Sequence, residues 1–134
     1  MEYKVKKVVR GKVEAELIVC QGAFSFMGDV DLETSKIIAK GNPNIGISLD
    51  GKILIFNETK GSSGGSTVLM TLANIGKAPS AIISVKAADF NLTEGAILAK
   101  IPYGCNFPAD TLKTISTGQK AKLDLEKGII EIIF

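Results

Sequence analysis

Lys52-Ile53-Leu54-Ile55-Phe56, Gly61-Ser62-Ser63-Gly64-Gly65-Ser66, Thr67-Val68-Leu69-Met70-Thr71-Leu72-Ala73-Asn74-Ile75-Gly76 and Ala81-Ile82-Ile83-Ser84-Val85 follow one another in the middle of the chain. The first run is short, apolar and rich in branched residues, as a strand buried on both faces is. In the third, Val68, Leu69, Leu72 and Ile75 recur at helical spacing, with Ser66 as N-cap and Gly76 as stop. Pro79 prevents the helix from continuing. The last run reads as a second buried strand. Strand, Gly-rich loop, helix, strand is a βαβ unit, which predicts a parallel pair.

The flanks read outward from this unit. On the amino side, Val5, Val8 and Val9 precede Arg10-Gly11, and Val13-Glu14-Ala15-Glu16-Leu17-Ile18-Val19 follows with partial alternation. Two strands about a turn at Gly11 are predicted. Gln21 to Pro43 is irregular, with a short strand predicted over Lys36-Ile37-Ile38-Ala39 and a loop at Gly41-Asn42-Pro43-Asn44. On the carboxyl side, Thr93 to Lys100 predicts a short amphipathic helix capped by Asn91 and ended by Pro102. Ile101 to Pro108 reads as a surface loop. Lys120-Ala121-Lys122-Leu123-Asp124-Leu125 and Gly128-Ile129-Ile130-Glu131-Ile132-Ile133 predict a hairpin turning at Glu126-Lys127-Gly128. No linker or repeat divides residues 1–134, so a single α/β domain is expected. Its core is a mixed sheet or incomplete barrel with about two helices packed on it.

Composition narrows the chemistry. The 134 residues include 16 Lys+Arg against 14 Asp+Glu, a balance of +2 that argues against a phosphate backbone or an anionic membrane as main partner. Trp is absent and aromatics are 6%, which argues against a base-stacking platform. With no His, there is no Ser–His or Cys–His pair and no imidazole metal site. Cys20 and Cys105 cannot by themselves hold zinc or an iron–sulfur cluster. They are expected as buried reduced thiols rather than a disulfide. Met1 to Lys7 lacks the apolar core of a signal peptide, and no apolar run approaches the ~20 residues of a membrane span, so a soluble cytoplasmic protein is expected.

Two segments are candidates for function. Gly61-Ser62-Ser63-Gly64-Gly65-Ser66 lets backbone approach a ligand closely and feeds a helix start, whose N–H groups and dipole favour a carboxylate, phosphate or alkoxide. It is neither a Walker loop nor a dinucleotide fingerprint, and the same composition also suits a solvent loop. The second is Phe24-Ser25-Phe26-Met27-Gly28-Asp29-Val30-Asp31. Phe24 and Phe26 read as core, with Asp29 and Asp31 as turn formers. Lacking strand or helix period, Phe24, Phe26 and Met27 are also candidates for part of a partner interface. Cys105 has no base beside it in the sequence to make it a nucleophile. Lys4, Lys6, Lys7, Arg10 and Lys12 read as the solvated face of an edge strand.

Taken in order and spacing, the segment 24–31, the Gly61-Ser62-Ser63 loop leading into Ser66-Thr67-Val68-Leu69, and Gly76-Lys77-Ala78-Pro79-Ser80-Ala81-Ile82-Ile83 resemble the aconitase X swivel-domain family. Within it they are similar to the short stand-alone small subunits of the archaeal phosphomevalonate dehydratases. The similarity runs from about Gly11 to Gly128. It implies a swivelling β/β/α fold and a separate large subunit carrying an iron–sulfur (4Fe-4S) cluster, with no cofactor on this chain. The reaction of that branch removes water from (R)-5-phosphomevalonate to give trans-anhydromevalonate 5-phosphate, in a modified mevalonate route to isoprenoids. Aconitase-like swivel domains place a catalytic serine in a Gly-Ser-Ser-Arg loop. The matching residue is Ser62, implied as proton acceptor, with Gly61, Ser63, Gly64, Gly65 and Ser66 as substrate contacts. Two departures stand out: position 64 is Gly rather than Arg, and Met27-Gly28-Asp29 stands where Trp-Gly-Gly is frequent. An aconitase X-type dehydratase for another hydroxy acid and a non-catalytic anion-binding module are the alternatives.

Overall fold

A computed structural model describes residues 1–60 and 64–133. Eight strands form one sheet: β1 (Glu2–Lys4), β2 (Lys6–Val9), β3 (Lys12–Phe24), β4 (Ile53–Thr59), β5 (Ala81–Ser84), β6 (Tyr103–Cys105), β7 (Lys120–Asp124) and β8 (Ile129–Ile133). Their order is β1-β8-β7-β3-β4-β5-β6-β2. The two ends of that order, β1 and β2, are consecutive in the chain and separated only by Val5, so the sheet curls back on itself as a barrel-like layer. Val5 is buried, and its N–H donates to the Gly128 carbonyl at 2.9 Å. A Cβ on Gly128 would lie 2.8 Å from the Val5 carbonyl oxygen, and its φ is +72°, so glycine is needed at this seam.

The long strand β3 joins two kinds of sheet, and its sequence shows why. Over Lys12–Glu16 charged and apolar residues alternate, and this half pairs antiparallel with β7. Glu14 faces Lys122 and Glu16 faces Lys120, a ladder of opposite charges that favours this register. From Leu17 to Cys20 every residue is buried, and this half pairs parallel with β4. A strand covered on both faces needs apolar side chains on both.

The covering elements are α2 (Gly65–Asn74) and α3 (Phe90–Ala99), with single turns at α1 (Phe26–Asp29) and α4 (Ala109–Leu112). Met27 and Gly28 in α1 have non-helical backbone angles, so it is a kinked turn. Strand β4 divides its side chains between two cores. Ile53 and Ile55 point into the barrel with Leu17, Val19, Ile83 and Ile130. Leu54 and Phe56 point under the helices with Ile18, Leu69, Leu72 and Leu92. The layers are β/β/α, and β4-α2-β5 is the predicted parallel βαβ unit.

The structure corrects several local expectations. The strands flanking Gly11 do not pair with each other; β2 pairs with β6. Residues 36–39 make only isolated bridges, Lys36 with Ser48 and Ile37 with Val30. The predicted surface loop 101–108 contains β6, buried throughout, because two prolines and Gly104 hide a three-residue strand. Helix α3 starts at Phe90, where the Asp89 carboxylate accepts from the Leu92 N–H at 2.7 Å. Phe24 and Phe26 are core residues, 0% and 2% exposed, stacked edge to face at 5.3 Å; of the expected interface trio only Met27 is exposed. The hairpin β7–β8 and the two free, buried cysteines are as expected. Among the described residues, no helix is long and apolar enough to cross a membrane.

Candidate functional site

The parallel strands β3, β4 and β5 end on one edge of the sheet, the edge at which open α/β sheets bind ligands. Two of the segments singled out in the sequence have described residues there, Phe24 to Asp29 and Gly64 to Ser66. Strand β3 ends at Phe24, whose carbonyl accepts from the Lys60 N–H at 3.0 Å, so the exits of β3 and β4 are tied together. Just beyond, the Asp29 carboxylate folds back. Its Oδ2 accepts from the Ser25 N–H at 2.9 Å and lies 3.4 Å from Lys60 Nζ. Asp29 therefore orients a lysine. Asp31 makes a turn: its Oδ2 accepts from the Thr34 hydroxyl and N–H, which hold its carboxyl below the ordinary range.

Lys60 leads into residues 61–63. Ser62, the serine matched to the proton acceptor, lies outside the described residues with Gly61 and Ser63. The described part of the loop resumes at Gly64, which occupies the N-cap position expected of Ser66. A Cβ on Gly64 would meet Met27 at 2.4 Å from Cε and 2.9 Å from Cβ. The two departures from the family pattern thus touch each other, and Met27 fills the space that a side chain at position 64 would need.

Helix α2 starts after Gly64, whose carbonyl accepts from the Val68 N–H at 3.1 Å; among the described residues this is the first backbone bond of the helix. The Ser66 N–H is engaged within the fold: it donates to Asn91 Oδ1 at 3.0 Å. Asn91, expected to cap its own helix, caps the neighbouring one. Gly95, one turn further along α3, allows the approach: a Cβ there would lie 2.7 Å from Ser66 Cα. Asn91 was not recognisable as a site residue, since the contact joins residues 25 apart in sequence.

A cleft between Phe24, Ser25, Lys60, Gly65, Asp89 and Leu92 has about 10 Å³ of room, enough for roughly one water. Beside it, a polar basin of about 180 Å³ is lined by Gln21, Asp29, Lys40, Asn42 and Lys60. Its Asn42 wall is bolted to β3: the Asn44 amide donates to Val19 O at 2.8 Å, and Asn44 Oδ1 accepts from the Thr117 hydroxyl at 2.8 Å. Two lysines and one carboxylate give the basin a net positive rim, suited to an anionic ligand. Larger depressions over the antiparallel half are shallow and lined by Lys12, Glu14, Lys122 and Asp124, far from this edge.

Neither cysteine belongs to the site's chemistry. Burial pushes the Cys20 thiol up, against hydrogen bonds from Asn42 and Asn44. Cys20 is on β3 and Cys105 on β6, three strand positions apart in the sheet, roughly 14 Å at the usual spacing. Among the described residues, no three of His, Cys, Asp and Glu are grouped to hold a metal. Two buried thiols on separate strands do not fit an iron–sulfur cluster among the described residues.

The family model for the aconitase X swivel domain matches residues 2–132. The phosphomevalonate dehydratase small subunit of Thermococcus gammatolerans is 41% identical over 99% of this chain and 98% of its own length. The protein of the same name from Methanocella arvoryzae is 35% identical over 98% of this chain and 99% of its own. The crystal structure of Thermococcus kodakaraensis aconitase X in its holo-form superposes with a TM-score of 0.92 at 36% identity, covering 100% of this chain and 99% of that one. The β/β/α architecture, the βαβ unit and these full-length similarities agree: the chain belongs to the aconitase X swivel-domain family.

Proposed function

We infer that this chain is the small subunit of a phosphomevalonate dehydratase, a hydro-lyase subunit that works with a larger subunit. The reaction is loss of water from (R)-5-phosphomevalonate to give trans-anhydromevalonate 5-phosphate. The observation that carries the reading is the half-site at the carboxyl edge, on a chain similar along its whole length to proteins of that name. Elimination of water from a 3-hydroxy acid needs a base for the carbon-bound proton and an acid for the departing hydroxide. In this reading Ser62 takes the proton. A serine hydroxyl is a poor base until its alkoxide is stabilised. The α2 dipole and the N–H groups of its first turn supply part of that, at an edge that also carries Lys60. The Ser66 N–H, held by Asn91, positions the helix start instead.

Lys60 and Lys40 suit the negative charge of a phosphorylated hydroxy acid. Gly64 offers no clamp, so a substrate-binding arginine belongs to the larger subunit. In this reading an iron–sulfur cluster would be held by the larger subunit and would supply a Lewis acid for the leaving hydroxide.

Anaerobic reconstitution with the larger subunit from the same organism tests this. The expected result is trans-anhydromevalonate 5-phosphate from the mixture and none from either subunit alone. Turnover by this chain alone, free of any iron-containing protein, would overturn the half-site. A reconstituted complex that ignores phosphomevalonate but dehydrates another hydroxy acid would overturn the substrate.

A further inference from the structure

Helix α3 turns one face to solvent, and that face is apolar. Phe90, Glu94, Ile97 and Leu98 fall at i, i+4, i+7 and i+8, one side of a helix. Phe90 is 88% exposed, Ile97 58% and Leu98 59%, while Leu92, Gly95 and Ala96 on the opposite side are buried. Three large side chains on one face make a patch on the order of a few hundred Å², the size at which exposed apolar surface marks an interaction site. Glu94 is the one charge within it.

The face is continuous with the half-site. Asn91 and Gly95 on its flank hold the first turn of α2. Gly65 lies 3.7 Å (from its ideal Cβ) from Asn91 Oδ1, and its neighbour Gly64 lies under Met27, itself 51% exposed. Exposed apolar side chains therefore stand on both sides of the α2 amino end.

We propose that the α3 face of Phe90, Ile97 and Leu98, with Met27 at its edge, docks the larger subunit of the dehydratase. This rests on the small-subunit reading above. The occupant follows from the position: the face borders the open edge of a half-site that must be completed by residues of another chain. A second copy of this chain would set two identical half-sites against each other and complete neither. Complementarity to this face calls for an apolar partner surface with a cation to meet Glu94. Docking there removes water from the edge where the proton is taken.

The test is the affinity of the purified chain for the purified larger subunit, by sedimentation velocity or calorimetry, with Phe90→Asp, Leu98→Glu and the double variant. All are exposed, so circular dichroism and melting should match the wild type. Each single change is expected to weaken Kd at least tenfold, and the double variant more. Wild-type Kd for a folded double variant overturns the proposal. So does a double variant that loses only self-association, which would assign the face to a second copy. A wild-type chain that does not bind the larger subunit overturns the small-subunit reading and this proposal together, a result distinct from the first two. Ile97→Lys provides an independent third variant on the same face.

Discussion

Replacing Gly95 by Ala should destabilise the protein, although the same change inside a helix ordinarily stabilises. Alanine is favoured over glycine in a helix interior by about 1 kcal/mol. Here the added Cβ would lie 2.7 Å from Ser66 Cα and 3.3 Å from its carbonyl oxygen, backbone atoms that cannot swing aside. That is about 0.8 Å inside ordinary carbon–carbon contact, so α2 and α3 must separate. Overpacking of this kind costs about 1–3 kcal/mol, and a backbone-to-helix clash belongs in the upper half of that range. The balance is a loss of about 1–2 kcal/mol, a fall in Tm of roughly 3–8 °C for a chain of this size. Urea unfolding followed by circular dichroism measures it. Gly65→Ala is the matched control, because a Cβ there meets nothing closer than 3.7 Å and should leave the midpoint unchanged or raised. In the reconstituted complex, Gly95→Ala should also lower turnover, since the displaced Ser66 is four positions after Ser62. A higher midpoint for Gly95→Ala than for wild type would refute the interlock of the two helices.

Further outcomes follow from the same contacts. Phe26→Asp buries a carboxylate among Phe24 and Phe56 and should prevent folding, read as loss of the cooperative melt; a folded variant would restore the interface reading of Phe26. Asn91→Asp keeps an acceptor for the Ser66 N–H but adds negative charge at the α2 amino end. Its melt should be close to wild type while KM for an anionic substrate rises severalfold, and an unchanged KM would separate Asn91 from the substrate. Burial raises the thiol of Cys20 and the phenol of Tyr103, so both hold their protons more tightly folded than unfolded. Stability from this source is intact below pH 9 and is lost as pH rises through the alkaline range, with Cys20 reacting with thiol reagents only on unfolding. Rapid labelling of Cys20 in the native state at pH 8 would contradict its burial.

The βαβ core was readable because each of its signals is local. Ile53 to Phe56 and Ala81 to Ser84 are continuous apolar runs, and Val68, Leu69 and Leu72 mark one side of a helix. The β/β/α closure was carried by the family resemblance, not by the pattern. Val5 is one apolar residue among lysines, and nothing near it announces a seam with Gly128, more than a hundred residues away. Phe24 and Phe26 read both as core and as interface because the segment running from the end of β3 into a kinked turn has no period; their burial bears out the core reading and overturns the interface one. Residues 101–108 misled because Pro102, Gly104 and Pro108 outweigh a strand of three residues. At the candidate site, the start of α2 after the Gly–Ser segment was legible from composition, but the contacts that support it were not. Asn91 reads as a cap for its own helix until α3 is seen lying against α2, and Lys40 and Asn42 join Lys60 only through the loop that Asn44 fastens to β3.

The central claim is that this chain contributes the proton acceptor to a shared active site. Ser62→Ala and Ser63→Ala, each reconstituted with the larger subunit and assayed on (R)-5-phosphomevalonate with substrate binding measured in parallel, test it most directly. The account predicts that Ser62→Ala loses nearly all turnover, on the order of 10²–10³-fold or more, with substrate binding little changed, while Ser63→Ala keeps measurable activity. Wild-type turnover by Ser62→Ala would contradict it and leave the loop as an anion cradle alone.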